Sequence, residues 1–273
     1  MLLCYVDGKF VKPEEAVLPL SDLIIQRGVG VFEAFASFGG KALMLTPHME
    51  RFIASAKSSG IANIPDMKFM KNIVHEGIDK CGRDVRVRTF LTGGDEFDTE
   101  KGCFPEPRFF VIFDEVGLLS PEAKNRGIIL EPVSFGRDNP DVKSVNYRAT
   151  YKMPKEAYDI LYCPGGEITE CGHSNFFLVY EDKIITAPLS RVLKGTTRGA
   201  VIELAKQEGY IVEERCPLWS ELSGASEAFI TGSMKLIVPA VKIGGITIAD
   251  GKPGKVTLRL SELYSKYMEK WLE

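Results

Sequence analysis

Lys143 stands in "DVKSVNYRAT", residues 141–150, directly after the loop-like run "GRDNPD". A primary amine at the mouth of buried structure can act as a nucleophile or carry a proton if its surroundings favour the neutral form. The plainer reading is a solvated lysine, because lysines are rarely buried without a partner. A second feature is "LKGTTRGAVIELAKQEG", where Gly195, Thr196 and Thr197 fall where a helix pattern begins. Open N–H groups at a helix N-terminus, with two hydroxyls, form an anion site that suits phosphate. An ordinary N-cap uses the same residues. Arg51, in "HMERF", can fork onto a phosphate or lay its stem along the core. Ser233, after the apolar strand in "EAFITGSMKLIVPAV", adds a further hydroxyl donor. Glu170, in "ITECG", needs a partner if it points inward and none if it faces solvent.

Periodicity sets the elements that must hold these groups. "LLCYVDGKFVKP" reads as a hairpin around Asp7-Gly8, and "VFEAFASFGGKALML" as another around Gly39-Gly40. "TPHMERFIASAKSSG" predicts a helix with Thr46 as N-cap, proline next, apolar Met49, Phe52, Ile53 and Ala56, and Gly60 as its stop. A second helix covers "MKFMKNIVHEGIDKCG", and strands follow in "VRVRTFLTGG" and "RFFVIFDEV". After a polar stretch, "IILEPVSF" starts a new set of strands. "YKMPKEAYDILYC" is compatible with a helix, "EITECGHSNFFLVYEDKIITA" with strands, and "VTLRLSELYSKYMEKWLE" with an amphipathic helix. The expected organisation is α+β: a small domain over 1–117, a connection over 118–124 and a large domain over 125–273.

Composition narrows the partners. The 273 residues carry a net charge of -3 with basic residues scattered, which gives no electrostatic footing for nucleic acid or an anionic membrane. The six cysteines form no C-x-x-C pair and read as small core residues of a reduced compartment. "MLLCYVDGKFVKPEE" lacks a basic, then apolar, leader pattern, so the expected location is the cytoplasm.

Taken in order, "RGVGVFEAF", "HMERFIASA", "DVKSVNY", "ITECGHSNFF", "LKGTTR" and "ITGSMKLIVP" resemble the class IV, or fold type IV, pyridoxal-phosphate aminotransferases over nearly the whole chain. That family includes branched-chain aminotransferase, D-amino-acid aminotransferase and aminodeoxychorismate lyase. The resemblance implies a two-domain fold, pyridoxal 5'-phosphate as cofactor, amino acids and 2-oxo acids as substrates, and a homodimer. It makes Lys143 the Schiff-base lysine and Glu170 the partner of the pyridine nitrogen. Arg51, Gly195, Thr196, Thr197 and Ser233 become the phosphate holders, Leu193 the ring-face contact and Tyr147 the partner of the ring hydroxyl.

Two departures bear on the subgroup. Familiar D-amino-acid aminotransferases carry an arginine and a histidine in a "TRG" segment where this chain reads "FLTGGDEFD". The usual branched-chain "EGxGEN" is here "ECGHSN". Other groups can grip the substrate carboxylate: Arg27, Arg88 and Lys235 by charge, with Met234 and His173 beside them. The favoured expectation is therefore a D-amino-acid transaminase with a non-standard carboxylate trap and a dicarboxylic partner such as 2-oxoglutarate. Branched-chain L-amino-acid aminotransferase, aminodeoxychorismate lyase and a non-catalytic cofactor-binding relative are the alternatives.

Overall fold

The computed structural model describes residues 1–117, 119–151 and 153–273. The chain forms two units: Met1–Gly117 with Val142–Asn146 and Lys270–Glu273, and Leu118–Asp141 with Tyr147–Glu269. Residues 142–146 and 270–273 thus leave the expected 125–273 domain and pack with the first unit.

In the first unit, β1 (Leu3–Val6) and β2 (Lys9–Val11) turn at Asp7-Gly8, both with positive φ, as a two-residue hairpin requires. α1 (Leu23–Arg27) starts on Asp22, whose carboxylate accepts the Ile24 N–H at 2.9 Å. Then come β3 (Gly30–Phe38), β4 (Lys41–Ala42), α2 (Leu45–Ser58), α3 (Met67–Cys81), β5 (Val85–Thr92) and β6 (Phe109–Glu115). The sheet runs β2-β1-β6-β5-β3-β4, antiparallel throughout. Alternation sends Val31, Phe35, Val85, Val87, Leu91, Val111 and Phe113 onto α2 and α3, where Met49, Phe52, Met70 and Ile78 complete the core. Each large apolar side chain so buried contributes roughly 1.5–3 kcal/mol before entropy is subtracted. The opposite face carries Phe32, Phe90 and Phe110 in a stacked ladder with centroid spacings of 5.7 and 4.7 Å.

Two distant segments complete this unit. The Phe32 N–H donates to the Lys143 carbonyl at 3.0 Å and the Val145 N–H to the Gly30 carbonyl at 3.1 Å, so 143–145 line the open edge of β3. α2 begins two residues earlier than expected, on Met44 in the left-handed region, with Thr46 and Pro47 inside its first turn. Thr46 is not the N-cap: its N–H donates to the Glu273 carboxylate at 2.8 Å, its hydroxyl also bonds Glu273, and Lys71 reaches the same carboxylate at 2.8 Å. The helix start is satisfied by a residue 227 positions away, which no local pattern can announce.

The second unit contains α4 (Pro121–Arg126), β7 (Ile128–Val133), β8 (Asp159–Tyr162), β9 (Asn175–Tyr180), β10 (Lys183–Thr186), α5 (Thr196–Gln207), β11 (Ile211–Glu214), β12 (Glu227–Gly232), β13 (Leu236–Ile243), β14 (Ile246–Thr247) and α6 (Lys255–Tyr267). Its mixed sheet runs β11-β10-β9-β12-β13-β7-β8, with β14 on β13. The stretch "YKMPKEAYDILYC", compatible with a helix by sequence, holds no α-helix among its described residues, Lys152 lying outside them. A 3-10 turn covers Arg148–Tyr151, and β8 pairs parallel with β7. Pro154 lacks the N–H a helix needs, and all four β8 residues are buried. A run apolar on both faces is a strand that periodicity alone does not separate from a helix.

Candidate active site

On the first unit, Lys143 is fixed by its backbone. Its N–H donates to Ser55 Oγ of α2 at 3.1 Å, its carbonyl serves β3, and its Nζ lies 4.6 Å from the centre of the Phe32 ring. The amine therefore sits over the end of the aromatic ladder. One turn before Ser55 on α2 is Arg51, whose Nε and Nη2 donate to Glu33 Oε1 and Oε2, both at 2.7 Å. Glu33 points inward from β3 with Val31 and Phe35, and His48 Nδ1 lies 2.6 Å from its Oε2. Because a carboxylate only accepts, Nδ1 carries the hydrogen. Burial pushes the Glu33 carboxyl up, but the Arg51 and His48 partners outweigh it and hold the pKa well below the carboxylate range. For His48, burial is the stronger influence and holds the imidazole below its ordinary value despite Glu33. The cluster is thus a buried ion pair with a neutral histidine.

The proposed carboxylate-gripping cations of this unit differ in setting. Arg86, Arg88 and Phe90 share the half-open face, as alternation predicts, with Val85, Val87 and Thr89 buried behind them. Arg88 donates through Nε to Asp114 at 2.9 Å, and Arg86 joins it at 3.1 Å. Burial works against the Asp114 carboxylate, yet the two arginines hold its pKa down. Two guanidinium groups against one carboxylate leave this patch net positive. Arg27 is exposed at the end of α1.

On the second unit, Glu170, Asn175, Leu193 and Gly195 are interlocked. Glu170 Oε2 accepts the Leu193 N–H at 3.2 Å, and Asn175 Nδ2 donates to the Leu193 carbonyl at 3.0 Å. Asn175 also approaches the Glu170 carboxylate at 3.5 Å, and Arg137 Nη1 lies 3.5 Å from its other oxygen. Gly195 is the N-cap of α5 and has no side chain to bond the helix start. A Cβ there would fall 2.0 Å from Asn175 Oδ1, so glycine is required by space. Thr196 Oγ1 and Ser233 Oγ meet at 3.2 Å, and Thr197 is buried behind them. Backbone donors at the start of a twelve-residue helix and two converging hydroxyls therefore share one end of the sheet with an anchored carboxylate. That donor set fits a phosphate-bearing heteroaromatic base: the helix start suits the phosphate and Glu170 suits a protonated ring nitrogen.

Tyr147 stacks on His173 at 5.1 Å between centroids, and the Arg137 guanidinium lies 5.4 Å from the Tyr147 ring. His173 and Lys235 both turn to buried Asp159, through Nδ1 at 3.2 Å and Nζ at 3.0 Å. Burial opposes the Lys235 ammonium, but Asp159 holds its pKa above the ordinary lysine value. Met234 is half-buried in the turn between β12 and β13. The structure thus groups Lys143 with Arg51 on one unit, and Glu170, Leu193, Gly195, Thr196 and Ser233 on the other.

Sequence reasoning missed Glu33, His48, Asn175, Arg137 and Asp159. Glu33 had a signal: strict alternation in "VFEAF" puts it on the same face as Val31 and Phe35. Asn175 and Asp159 had none, because their partners are brought by tertiary packing. Among the described residues no cluster of three or more His, Cys, Asp or Glu could hold a metal ion, and no helix is long and apolar enough to cross a membrane.

A family model for amino-transferase class IV matches residues 30–243. A putative branched-chain-amino-acid aminotransferase of Methanocaldococcus jannaschii is 33% identical, the match covering 98% of this chain and 96% of that protein. A D-alanine aminotransferase of Staphylococcus haemolyticus is 25% identical over 98% of this chain and 99% of its own. Among solved structures, the T.th. branched-chain amino acid aminotransferase with pyridoxamine 5'-phosphate superposes with a TM-score of 0.90 at 26% identity, covering 100% of this chain and 98% of that one.

Proposed function

The chain belongs to the class IV aminotransferases, enzymes that depend on pyridoxal phosphate, and from that premise we propose a residue-level reading of its chemistry. Bound pyridoxal phosphate supplies an aldehyde that combines with an amine and a ring that draws electrons from the substrate's α-carbon. Lys143 would hold the cofactor through Nζ and, when released, carry the proton to and from that α-carbon. Arg51, Ser233, Thr196, Thr197 and the Gly195 helix start would hold the phosphate. Glu170, kept in place by Leu193 and Asn175, would keep the ring nitrogen protonated. Leu193 would pack on the ring, and Tyr147 would bond its hydroxyl.

For the substrate we propose an amino acid whose carboxylate is gripped from β5. The observation that carries this is Arg88 on the same sheet face as the Lys143 amine, with Phe32 and Phe90 between them and a net positive charge left after Asp114 is counted. With "ECGHSN" departing from the branched-chain pattern, a D-amino acid with 2-oxoglutarate is the couple we favour, and because Gly93-Gly94 stand where the familiar D-type trap would be, this reading requires Arg88 to replace that trap. Arg27 and Lys235, with Met234 and His173, are the secondary candidates for contact with that couple. A second reading, a branched-chain L-amino acid donor, is favoured by the names of the M. jannaschii and T.th. relatives and by the aromatic ladder, which suits an aliphatic side chain. Turnover of D-alanine or D-glutamate against L-leucine, with 2-oxoglutarate as acceptor, decides between them. Activity confined to the L-isomer removes the first reading. A homodimer is proposed with it, supported by the half-exposed aromatic face of the first sheet, and sedimentation tests it.

A further inference from the structure

Glu33, Arg51 and His48 form a charged cluster in a place where apolar residues would pack as well. Replacing a buried ion pair by hydrophobic side chains is often neutral or stabilising, so its presence asks for a purpose other than stability. Glu33 and His48 are 0% exposed, and His48 also packs on Phe35 with centroids 4.9 Å apart. Glu33 grips one edge of the guanidinium, Nε and Nη2, while His48 holds its Oε2 from the other side. Three donors on two carboxylate oxygens fix the carboxylate, and the two-point grip fixes the plane and rotation of the guanidinium.

We propose that Glu33 is a positioning residue for phosphate recognition, setting the plane and rotation in which the Arg51 guanidinium would meet the cofactor's phosphate. This rests on the reading that Arg51 holds that phosphate. The grip has an opposing electrostatic effect, since a carboxylate beside the guanidinium weakens its pull on an anion. Positioning outweighs that loss because an arginine with four free torsions spends most orientations off target. His48 supports the same carboxylate.

The test compares pyridoxal phosphate with pyridoxal, which lacks the phosphate, on apoprotein by visible absorbance. Glu33→Gln removes the charge and puts an amide donor against donors from Arg51 and His48. It is expected to weaken pyridoxal phosphate roughly tenfold, the loss of about one charge-assisted bond, while pyridoxal changes less than about twofold. Glu33→Asp keeps the charge but shortens the reach, and should weaken the phosphate form in the same selective way. It also serves if the glutamine variant does not fold. In an Arg51→Leu background, either change should leave the ratio of the two affinities unaltered. Tighter or unchanged pyridoxal phosphate binding, or equal weakening of both compounds, overturns the proposal. If Arg51→Leu lowers the ratio and the Glu33 variants do not, only this inference fails. If Arg51→Leu leaves the ratio unchanged, the phosphate role of Arg51 fails with it.

Discussion

Single side chains here depend on what else is buried with them. His48 is neutral in the folded chain because burial holds its pKa below the ordinary 6.5, while in the unfolded chain it protonates near that value. As pH falls through 6.5 the unfolded chain gains a proton that the folded chain does not, so stability is lost, by up to about 1.4 kcal/mol per pH unit for this one group. Glu33 acts later and in the same direction: its contribution is present above its ordinary 4.5 and is lost below it. Thermal unfolding midpoints should therefore fall between pH 6.5 and about 5 in the native protein, and less steeply in His48→Asn. An unchanged slope in that variant would mean that His48 titrates normally.

Elements carry the second tier of the site, and the start of α5 is the clearest case. Gly195 has φ of −66°, which any residue can adopt, so only contact forbids a side chain there. In Gly195→Ala the new Cβ would overlap Asn175 Oδ1 at 2.0 Å and crowd Arg198 Cβ at 3.1 Å. The helix start or Asn175 must shift, and Asn175 ties Leu193 to Glu170. The expected result is a stability loss of roughly 1–3 kcal/mol with weaker cofactor binding, read by calorimetry and cofactor titration. At this scale much was legible from sequence. Asp7-Gly8, the two long helices of the first unit and the Gly195-Thr196-Thr197 helix start all follow from local turn and capping chemistry. What was not legible had distant causes. Thr46 looked like a cap because the true partner, Glu273, lies in another part of the chain, and β8 looked helical because both its faces are buried.

At the scale of the whole molecule, sequence order and structural membership disagree. A polar connection near 118 is visible in composition, and the N-terminal stretch of the first unit runs from Met1 to Gly117. Val142, a core residue of that unit, and the strip 143–145 along β3 come from beyond the connection, as do 270–273. A polypeptide of residues 1–117 alone would leave a hole at Val142, an open edge at Gly30–Phe32 and an unsatisfied start of α2. It is expected to unfold without a sharp cooperative transition and to bind a hydrophobic dye. A sharp transition matching one in the whole protein would show that these returning segments add little.

The bond between Thr46 and Glu273 also has a meaning in time. During synthesis at about 5–20 residues per second, the 227 residues that separate them take roughly ten to fifty seconds to emerge. For that interval the helix bearing Arg51 and Ser55 waits without its Glu273 anchor, so the first turn of α2 settles only after residue 273 has been added.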